Sequence, residues 1–144
     1  MIRPFKPSTD FELLIQGETE AFNNSYPGEE MPFGFVTDRI RAIERGRTRC
    51  LVLHEDGVRG YVIGTTQRRQ DIDEIDIESV YLLPAWRGQG LLDRLLRAMT
   101  QPSRRSRITL DVTLSNTAAL DAYERLGFRQ ERVRMSRWFD ASNR

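Results

Sequence analysis

The sequence has few of the residues that build metal and redox sites. Cys50 is its only cysteine, which excludes an intrachain disulfide and a cysteine-based metal site and agrees with a reducing compartment. Cys50 lies in an apolar segment without an activating neighbour, so we expect a buried residue and not an acyl-accepting nucleophile. His54 is the only histidine and lies beside a turn signal, where a surface position is commoner than a ligand. We therefore expect no metal site.

The sequence also has no excess of one charge and no long apolar run. Its formal net charge is +1, so its overall field does not favour nucleic acid or an anionic membrane as a partner. No apolar run approaches the roughly 20 residues that cross a bilayer, and the first residues do not resemble a signal peptide. We expect a cytoplasmic protein that binds any anionic ligand through a local feature.

The 144 residues suit one domain with a single core. We predict one domain over residues 1–144, in which glycine, proline and the hairpin signal Asp56-Gly57 separate helices from strands. The predicted elements are a strand at 2–5, a helix from a capping box at Thr9 and Glu12 to about Phe22, a loop at 23–36, a helix at 37–45, strands at 49–54, 58–67 and 74–83, a helix at 91–99, a strand at 108–115, a helix at 116–125 and a last strand or hairpin at 128–139.

A glycine-containing loop precedes the helix predicted at 91–99. Arg87-Gly88-Gln89-Gly90 follows a strand that stops at Pro84 and leads into Leu91 and Leu92. Unpaired amides and the positive end of the helix dipole favour an anion at such a helix start. Glycine lets the backbone approach phosphate oxygens closely, and Arg87 adds a positive charge. This arrangement suits a diphosphate.

Two other phosphate-binding loops fit this sequence less well. A P-loop requires Gly-Lys followed by Ser or Thr, and that motif does not occur here. A dinucleotide fingerprint requires a third glycine where Asp93 stands, and an acidic residue at a strand end, whereas we predict Asp111 to lie in the middle of a strand.

Two motifs resemble the GCN5-related N-acetyltransferase (GNAT) family. Arg87-Gly88-Gln89-Gly90, after the apolar segment 80–84, is similar to the family's pyrophosphate loop. The segment 116–128 is similar to the family's second motif, in which Tyr123 follows Asn116 by seven residues and precedes a Leu-Gly-Phe triplet. Leu92 departs from the first motif, because the family usually has Gly or Ala at that position, and its side chain must point away from the cofactor.

The resemblance implies a fold and a cofactor. The expected fold is of the α/β (α+β) class, with a mixed, mainly antiparallel sheet of six or seven strands and about four helices. The expected cofactor is acetyl-CoA, held in a cleft between the strands at 75–83 and 107–115. By this resemblance the cofactor-binding residues are Val80, Tyr81, Leu82, Arg87, Gly88, Gln89, Gly90, Leu91, Leu92 and Asn116.

The resemblance also implies catalytic roles. Glu78 is the first candidate for the base that removes a proton from the acceptor ammonium, and Asp111 is the second, at a position where ribosomal-protein N-terminal acetyltransferases carry a glutamate. Tyr123 corresponds to the tyrosine that protonates the departing thiolate. Each also has a structural alternative: a solvated strand carboxylate for Glu78 and Asp111, a core aromatic for Tyr123, and a helix cap for Asn116.

The expected activity is N-acetylation of a primary amine by direct attack in a ternary complex, on a small molecule or on a protein or peptide, by a monomer or homodimer. The alternative is an acyl-CoA-binding or sensing module without catalysis. An acidic approach to the site would suit a cationic acceptor, and the residues that could provide it are Glu29, Glu30, Asp71, Asp73, Glu74 and Asp76.

Overall fold

The computed structural model describes residues 1–141, which divide into two compact units, Met1–Thr113 and the part from Leu114 onward. The single-domain organisation stays a prediction. None of the helices in residues 1–141 has the length and apolar character needed to span a membrane. In chain order the elements are β1 (Ile2–Pro4), α1 (Pro7–Ser25), α2 (Phe35–Glu44), β2 (Arg49–His54), β3 (Val58–Arg69), β4 (Ile72–Leu82), a 3-10 turn (Pro84–Trp86), α3 (Leu91–Ala98), β5 (Arg105–Leu110) and α4 (Thr117–Arg125).

The first unit contains one mixed sheet with the strand order β1-β2-β3-β4-β5. Three neighbouring pairs are antiparallel and β4–β5 is parallel, with α3 in the crossover. The predicted hairpin between β2 and β3 is confirmed, since Asp56 and Gly57 have φ angles of 54° and 117°. These left-handed conformations are the ones that an Asp-Gly turn favours.

The prediction of six or seven strands is wrong, because the sheet within residues 1–141 has five. The segment predicted as a last strand or hairpin, residues 128–139, forms no strand. Val133 and Met135 alternate there with arginines, a pattern typical of a strand. Their exposed fractions, however, are 70% and 89%. Without burial of one face, alternation alone does not stabilise a strand.

Apolar side chains cover both faces of the sheet in the first unit. On one face, Leu13 and Leu14 of α1 pack with Val52, Tyr61 and Ile63 of the sheet in one buried cluster. On the other face lies α3, whose buried residues are Leu91, Leu95 and Leu96, followed by Met99 at its C-cap. The sheet is therefore packed on both faces, and β2 has the largest share of buried residues, four of its six.

The predicted capping box at the start of α1 is wrong. The helix begins at Pro7, a residue favoured at the first helical position, and Lys6 is its N-cap. Asp10 performs the capping function from inside the helix: its carboxylate accepts hydrogen bonds from the Lys6 amide at 2.7 Å and from Thr9 Oγ1 at 2.9 Å. The same carboxylate accepts hydrogen bonds from Arg3 Nη1 at 2.7 Å and from Arg3 Nη2 at 2.9 Å.

Asp10→Asn is expected to lower the free energy of unfolding by about 3 kcal/mol, because removing one charge of a buried pair leaves the other uncompensated. Asp10 is 1% exposed, so solvent screens this pair weakly. The measurement is urea denaturation near pH 7. Asp38→Asn is the matched control, since Asp38 forms an exposed 3.7 Å pair with Arg41, and such pairs contribute about 0.5 kcal/mol or less. Equal losses in the two variants would contradict the assignment.

The same contacts give Asp10 a pH dependence. Burial alone raises its pKa, but the hydrogen bonds from Arg3, Lys6 and Thr9 outweigh burial and hold the pKa below the ordinary value. A depressed carboxyl pKa stabilises the folded state fully above the unfolded pKa and loses that contribution as pH falls towards the folded value. Stability should therefore fall below about pH 4, and Asp10→Asn should lose less over that range than the parent protein.

Candidate active site

The parallel pair β4–β5 separates partway along the sheet. Its ladder runs from Ile72 opposite Arg105 to Ile77 opposite Leu110, where β5 ends. β4 continues to Leu82, paired with β3 on one edge only. Within residues 1–141, no strand pairs with the other edge of β4 beyond Ile77. This edge is therefore open to an extended chain, apart from the Leu82 carbonyl, which accepts a hydrogen bond from Arg87.

A β-bulge marks the point where this opening begins. Ile63 of β3 lies opposite Ser79, whereas the next residue, Gly64, lies opposite Ile77, so Glu78 is the extra residue of β4. Such a bulge twists the strand and redirects side chains, and bulges are common next to active sites.

The two candidate bases, Glu78 and Asp111, lie on the two sides of the opening, where it begins. Glu78 follows Ile77 and Asp111 follows Leu110, and these are the last residues paired across the two strands. The structure therefore brings both to the same level of the sheet. The expectation that Asp111 lies within a strand is wrong, because β5 ends one residue earlier. The position of Asp111 therefore no longer argues against a dinucleotide-binding loop. The other argument still holds, because Asp93 occupies the position at which that motif needs its third glycine.

The carboxylates near the opening have different surroundings. Glu78 is 28% exposed at its side chain, and its Oε2 accepts a hydrogen bond from Arg39 at 2.9 Å. Asp76, two residues earlier on β4, accepts a hydrogen bond from Thr109 Oγ1 at 2.9 Å. Asp111 is exposed.

The loop after β4 leaves its glycines open to a ligand. Gly88 and Gly90 have φ angles of 77° and 76°, and a Cβ added at either would meet no atom within 4 Å. Among residues 1–141, no backbone carbonyl accepts a hydrogen bond from the amides of residues 88–90. Gly90 is also the N-cap of α3. Free amides, a helix start and open space meet the requirements of a diphosphate.

Arg87 connects this loop to the end of β4. Its Nε donates to the Leu82 carbonyl at 2.9 Å, its Nη2 donates to Glu20 at 3.0 Å, and its guanidinium lies 5.4 Å from the Tyr81 ring centroid. Burial alone raises the pKa of Glu20, but hydrogen bonds from Arg87 and Tyr81 outweigh it and lower the pKa. Arg87 therefore anchors the loop, and its charge is paired with Glu20 in this structure.

The residues that follow the glycines are turned towards the protein. Leu91 is buried, and Leu92, the residue that departs from the family motif, is half-buried. Gln89 donates from its side chain to the Ala85 carbonyl at 3.2 Å, which closes the turn. The amides at the start of α3, and not these side chains, are the groups available to an anion.

The second unit contains α4 with both predicted motif residues. Asn116 is its N-cap, and Oδ1 accepts a hydrogen bond from the Ala119 amide at 3.2 Å. The Tyr123 ring lies 5.5 Å from that of Phe128 in an edge-to-face arrangement, and burial raises the pKa of its hydroxyl. Gly127, with φ of 94°, follows the end of the helix. Leu126 is exposed.

Two residues near Glu78 were missed by the sequence analysis. Glu18 of α1 is 2% exposed, and Arg39 of α2 lies between it and Glu78. The signal was present: Glu18 follows Leu14 by four residues and therefore lies on the apolar face of α1. Gly17 in the middle of the helix was a second signal, because a Cβ there would overlap the Tyr61 hydroxyl.

A groove of about 410 Å³ lies on the exposed part of the sheet, beside the opening. Hydroxyl, amide and carboxylate groups line it, from Thr65, Thr66, Gln67, Glu74, Asp76 and Thr109. Glu74 and Asp76 thus agree with the predicted acidic approach. Asp73 does not, because it is buried and paired with Arg68 and Arg104 at 3.1 and 2.8 Å.

The model of the Acetyltransferase (GNAT) family matches residues 11–128, and the chain belongs to this family. The protein is therefore an acetyltransferase, an acyl-transferring enzyme, and acetyltransferases of this fold use acetyl-CoA. No curated protein sequence matches the chain significantly.

Solved structures share the fold at low sequence identity. A mutant of a protein from Bacillus halodurans is 18% identical, with 96% of this chain and 99% of that chain covered and a TM-score of 0.76. AAC(6')-Iy in complex with a bisubstrate analogue, CoA-S-monomethyl-acetylneamine, is 20% identical, with 97% and 98% covered and a TM-score of 0.66. An aminoglycoside acetyltransferase from an uncultured soil metagenomic sample is 15% identical, with 99% and 96% covered and a TM-score of 0.67. The predicted GNAT fold is confirmed.

Proposed function

We propose that the protein transfers the acetyl group of acetyl-CoA to a primary amine by direct attack in a ternary complex. The observation that carries this proposal is the opening between β4 and β5, which has candidate bases where it begins. β4 then leads through a short turn to a glycine loop suited to a diphosphate.

The cofactor is proposed to lie along the free edge of β4. The segment Val80, Tyr81 and Leu82 is proposed to pair with its pantetheine chain through backbone groups other than the Leu82 carbonyl, which accepts a hydrogen bond from Arg87. The amides from Gly88 to Leu92 are available to its pyrophosphate. Asn116 is assigned a further contact by the second motif. When bound, acetyl-CoA supplies an acetyl group activated as a thioester.

Glu78 is proposed to take a proton, through a water molecule, from the acceptor ammonium, because only the neutral nitrogen is a nucleophile. A backbone amide in the segment 80–82 stabilises the negative charge on the carbonyl oxygen while the nitrogen–carbon bond forms. The Tyr123 hydroxyl gives its proton to the sulfur as the carbon–sulfur bond breaks. The nitrogen loses its second proton as the amide forms, and that proton restores the Tyr123 hydroxyl. The raised pKa of Tyr123 keeps that proton in place at neutral pH.

Asp111 is the alternative base. It begins the opening opposite Glu78 and is exposed. Its assignment rests on the likeness of the second motif to ribosomal-protein N-terminal acetyltransferases. Glu78 is preferred because it is the extra residue of the β-bulge and because a hydrogen bond from Arg39 holds its carboxylate in place.

The acceptor is proposed to be a cationic amine, and a small molecule is favoured over a protein. The groove beside the opening carries Glu74 and Asp76 among hydroxyl and amide groups, which suits a polar amine that bears hydroxyl groups. The acetyltransferases of similar fold include one from soil in complex with the aminoglycoside sisomicin, which supports the same class.

Gly90→Ala tests the cofactor site. It is expected to weaken CoA binding at least about tenfold, since a methyl group at a left-handed position costs roughly 1 kcal/mol or more and limits close approach to the amides. Isothermal titration calorimetry with CoA is the measurement. The control is Gly28→Ala, which places a methyl group at φ of 81° in a loop away from the site. Undiminished affinity in Gly90→Ala, or an equal loss in both variants, would refute the assigned site.

A further inference from the structure

Arg39 of α2 lies between two carboxylates on two other elements. Its Nη1 donates to Glu78 Oε2 on β4 at 2.9 Å, and its Nε lies 3.6 Å from Glu18 Oε1 on α1. The guanidinium also lies 5.7 Å from the Phe35 ring centroid, which limits its movement. The side chain is 23% exposed. One guanidinium therefore joins α1, α2 and the bulge of β4.

The Glu18 carboxylate is held firmly from the other side. Its side chain is 3% exposed, and it accepts hydrogen bonds from the Tyr61 hydroxyl at 3.4 Å and from Ser79. Ser79 is the residue after Glu78, so Glu18 also stabilises the bulge. Burial raises the pKa of Glu18, and Arg39 opposes that shift. The close approach of Tyr61 to α1 depends on Gly17.

We propose that Arg39 is a positioning residue for Glu78, which fixes the carboxylate at the start of the opening, while the buried Glu18 fixes Arg39. This inference rests on the proposed function, because it assigns Glu78 as the base. A carboxylate that must accept a proton needs one orientation before the acceptor binds. The flexible side chain of an unpaired glutamate does not have one.

The charged and titratable groups around Arg39 come from every element packed against it. They are Glu18 on α1, Cys50 on β2, Tyr61 on β3 and Glu78 on β4. Burial raises the pKa of Cys50 to about 12 and also raises that of Tyr61, so both are neutral near pH 7.

The test compares Arg39→Met with Arg41→Met, an exposed arginine of the same helix, in the full-length chain. The measurements are kcat and KM for acetyl transfer to one amine. Loss of Arg39 should lower kcat by about tenfold or more, because the base is no longer held in one orientation, while KM for acetyl-CoA stays within about twofold of the parent. Arg39→Lys should restore part of kcat, and Arg41→Met should match the parent. A KM for acetyl-CoA that changes as much as kcat, or an unchanged kcat, overturns the inference.

Removing Arg39 alone leaves the buried Glu18 carboxylate without its partner and can destabilise the fold. A double variant that also removes the Glu18 charge separates this effect from the loss of positioning. Glu18→Gln with Arg39→Met removes both charges and should show the same loss of kcat. A second measurement needs no turnover: NMR exchange of the Arg39 Nη protons in the cofactor-free protein should be slow and should become fast in Glu78→Ala, which removes the accepting oxygens. Unchanged exchange overturns the inference. If CoA binds but no amine is acetylated, the proposed function fails instead, and the exchange measurement still decides whether Arg39 holds Glu78.

Discussion

Glu78→Gln is expected to lower kcat/KM for acetyl transfer by about 10²- to 10³-fold, the usual contribution of a positioned general base. An amide cannot accept the proton of the ammonium group. Glutamine keeps the size of the side chain and an oxygen that can accept the hydrogen bond from Arg39, so the bulge should persist. CoA affinity, measured by calorimetry, should stay within about twofold of the parent because the glycine loop is unchanged.

Two neighbouring carboxylates make this experiment discriminating. Asp76→Asn is the comparison, because Asp76 lies on the same strand and is hydrogen-bonded to Thr109. Since Asp76 lines the proposed acceptor groove, its loss should raise KM for the amine and leave kcat near the parent value. Asp111→Asn examines the opposite side of the opening. A large loss in Asp111→Asn together with near-parent activity in Glu78→Gln would transfer the role of base to Asp111.

Tyr123→Phe is expected to lower kcat by about 10²-fold, since a positioned general acid contributes on that order. Phenylalanine keeps the edge-to-face contact with Phe128, so α4 should stay folded and CoA should still bind. Because burial raises the pKa of Tyr123 above the ordinary value, the hydroxyl keeps its proton throughout the neutral range. The parent profile should therefore show no alkaline loss from this residue up to about pH 10.

The comparison variant for Tyr123→Phe is Tyr26→Phe. Tyr26 is 53% exposed in the loop between α1 and α2, and its hydroxyl should contribute little. Steady-state kinetics of both variants with the same amine provide the measurement. If Tyr123→Phe turns over at the parent rate, another group or a water molecule protonates the sulfur.

Local signals predicted much of the fold. The strand at 49–54 was predicted from its apolar run and the Asp56-Gly57 turn from turn preference, and both agree with the structure. Asn116 as a cap and Gly127 as a stop give α4 the predicted bounds within one residue. In each case neighbouring residues determine the conformation, so sequence alone is sufficient.

The features that shape the site depend on contacts between distant residues. The bulge at Glu78 is a mismatch between β3 and β4, which no single strand pattern shows. The joining of α1 to β4 through Arg39 brings together residues far apart in the chain. The capping of α1 by Asp10 depends on Arg3 in β1 as well. The strand prediction for residues 128–139 was wrong because a strand-like sequence pattern does not show whether a partner strand is present.

The account is tested most directly by amine-dependent release of CoA from acetyl-CoA by the unmodified protein. The assay follows the free thiol, with mass spectrometry of each amine in a panel that includes aminoglycosides, polyamines, lysine and peptide N-termini. The account predicts thiol release well above the rate without amine, matched by one acetyl group on an amine nitrogen, and largest for a small hydroxylated amine. CoA binding with release at the background rate for every amine would contradict it and leave a cofactor-binding module without catalysis.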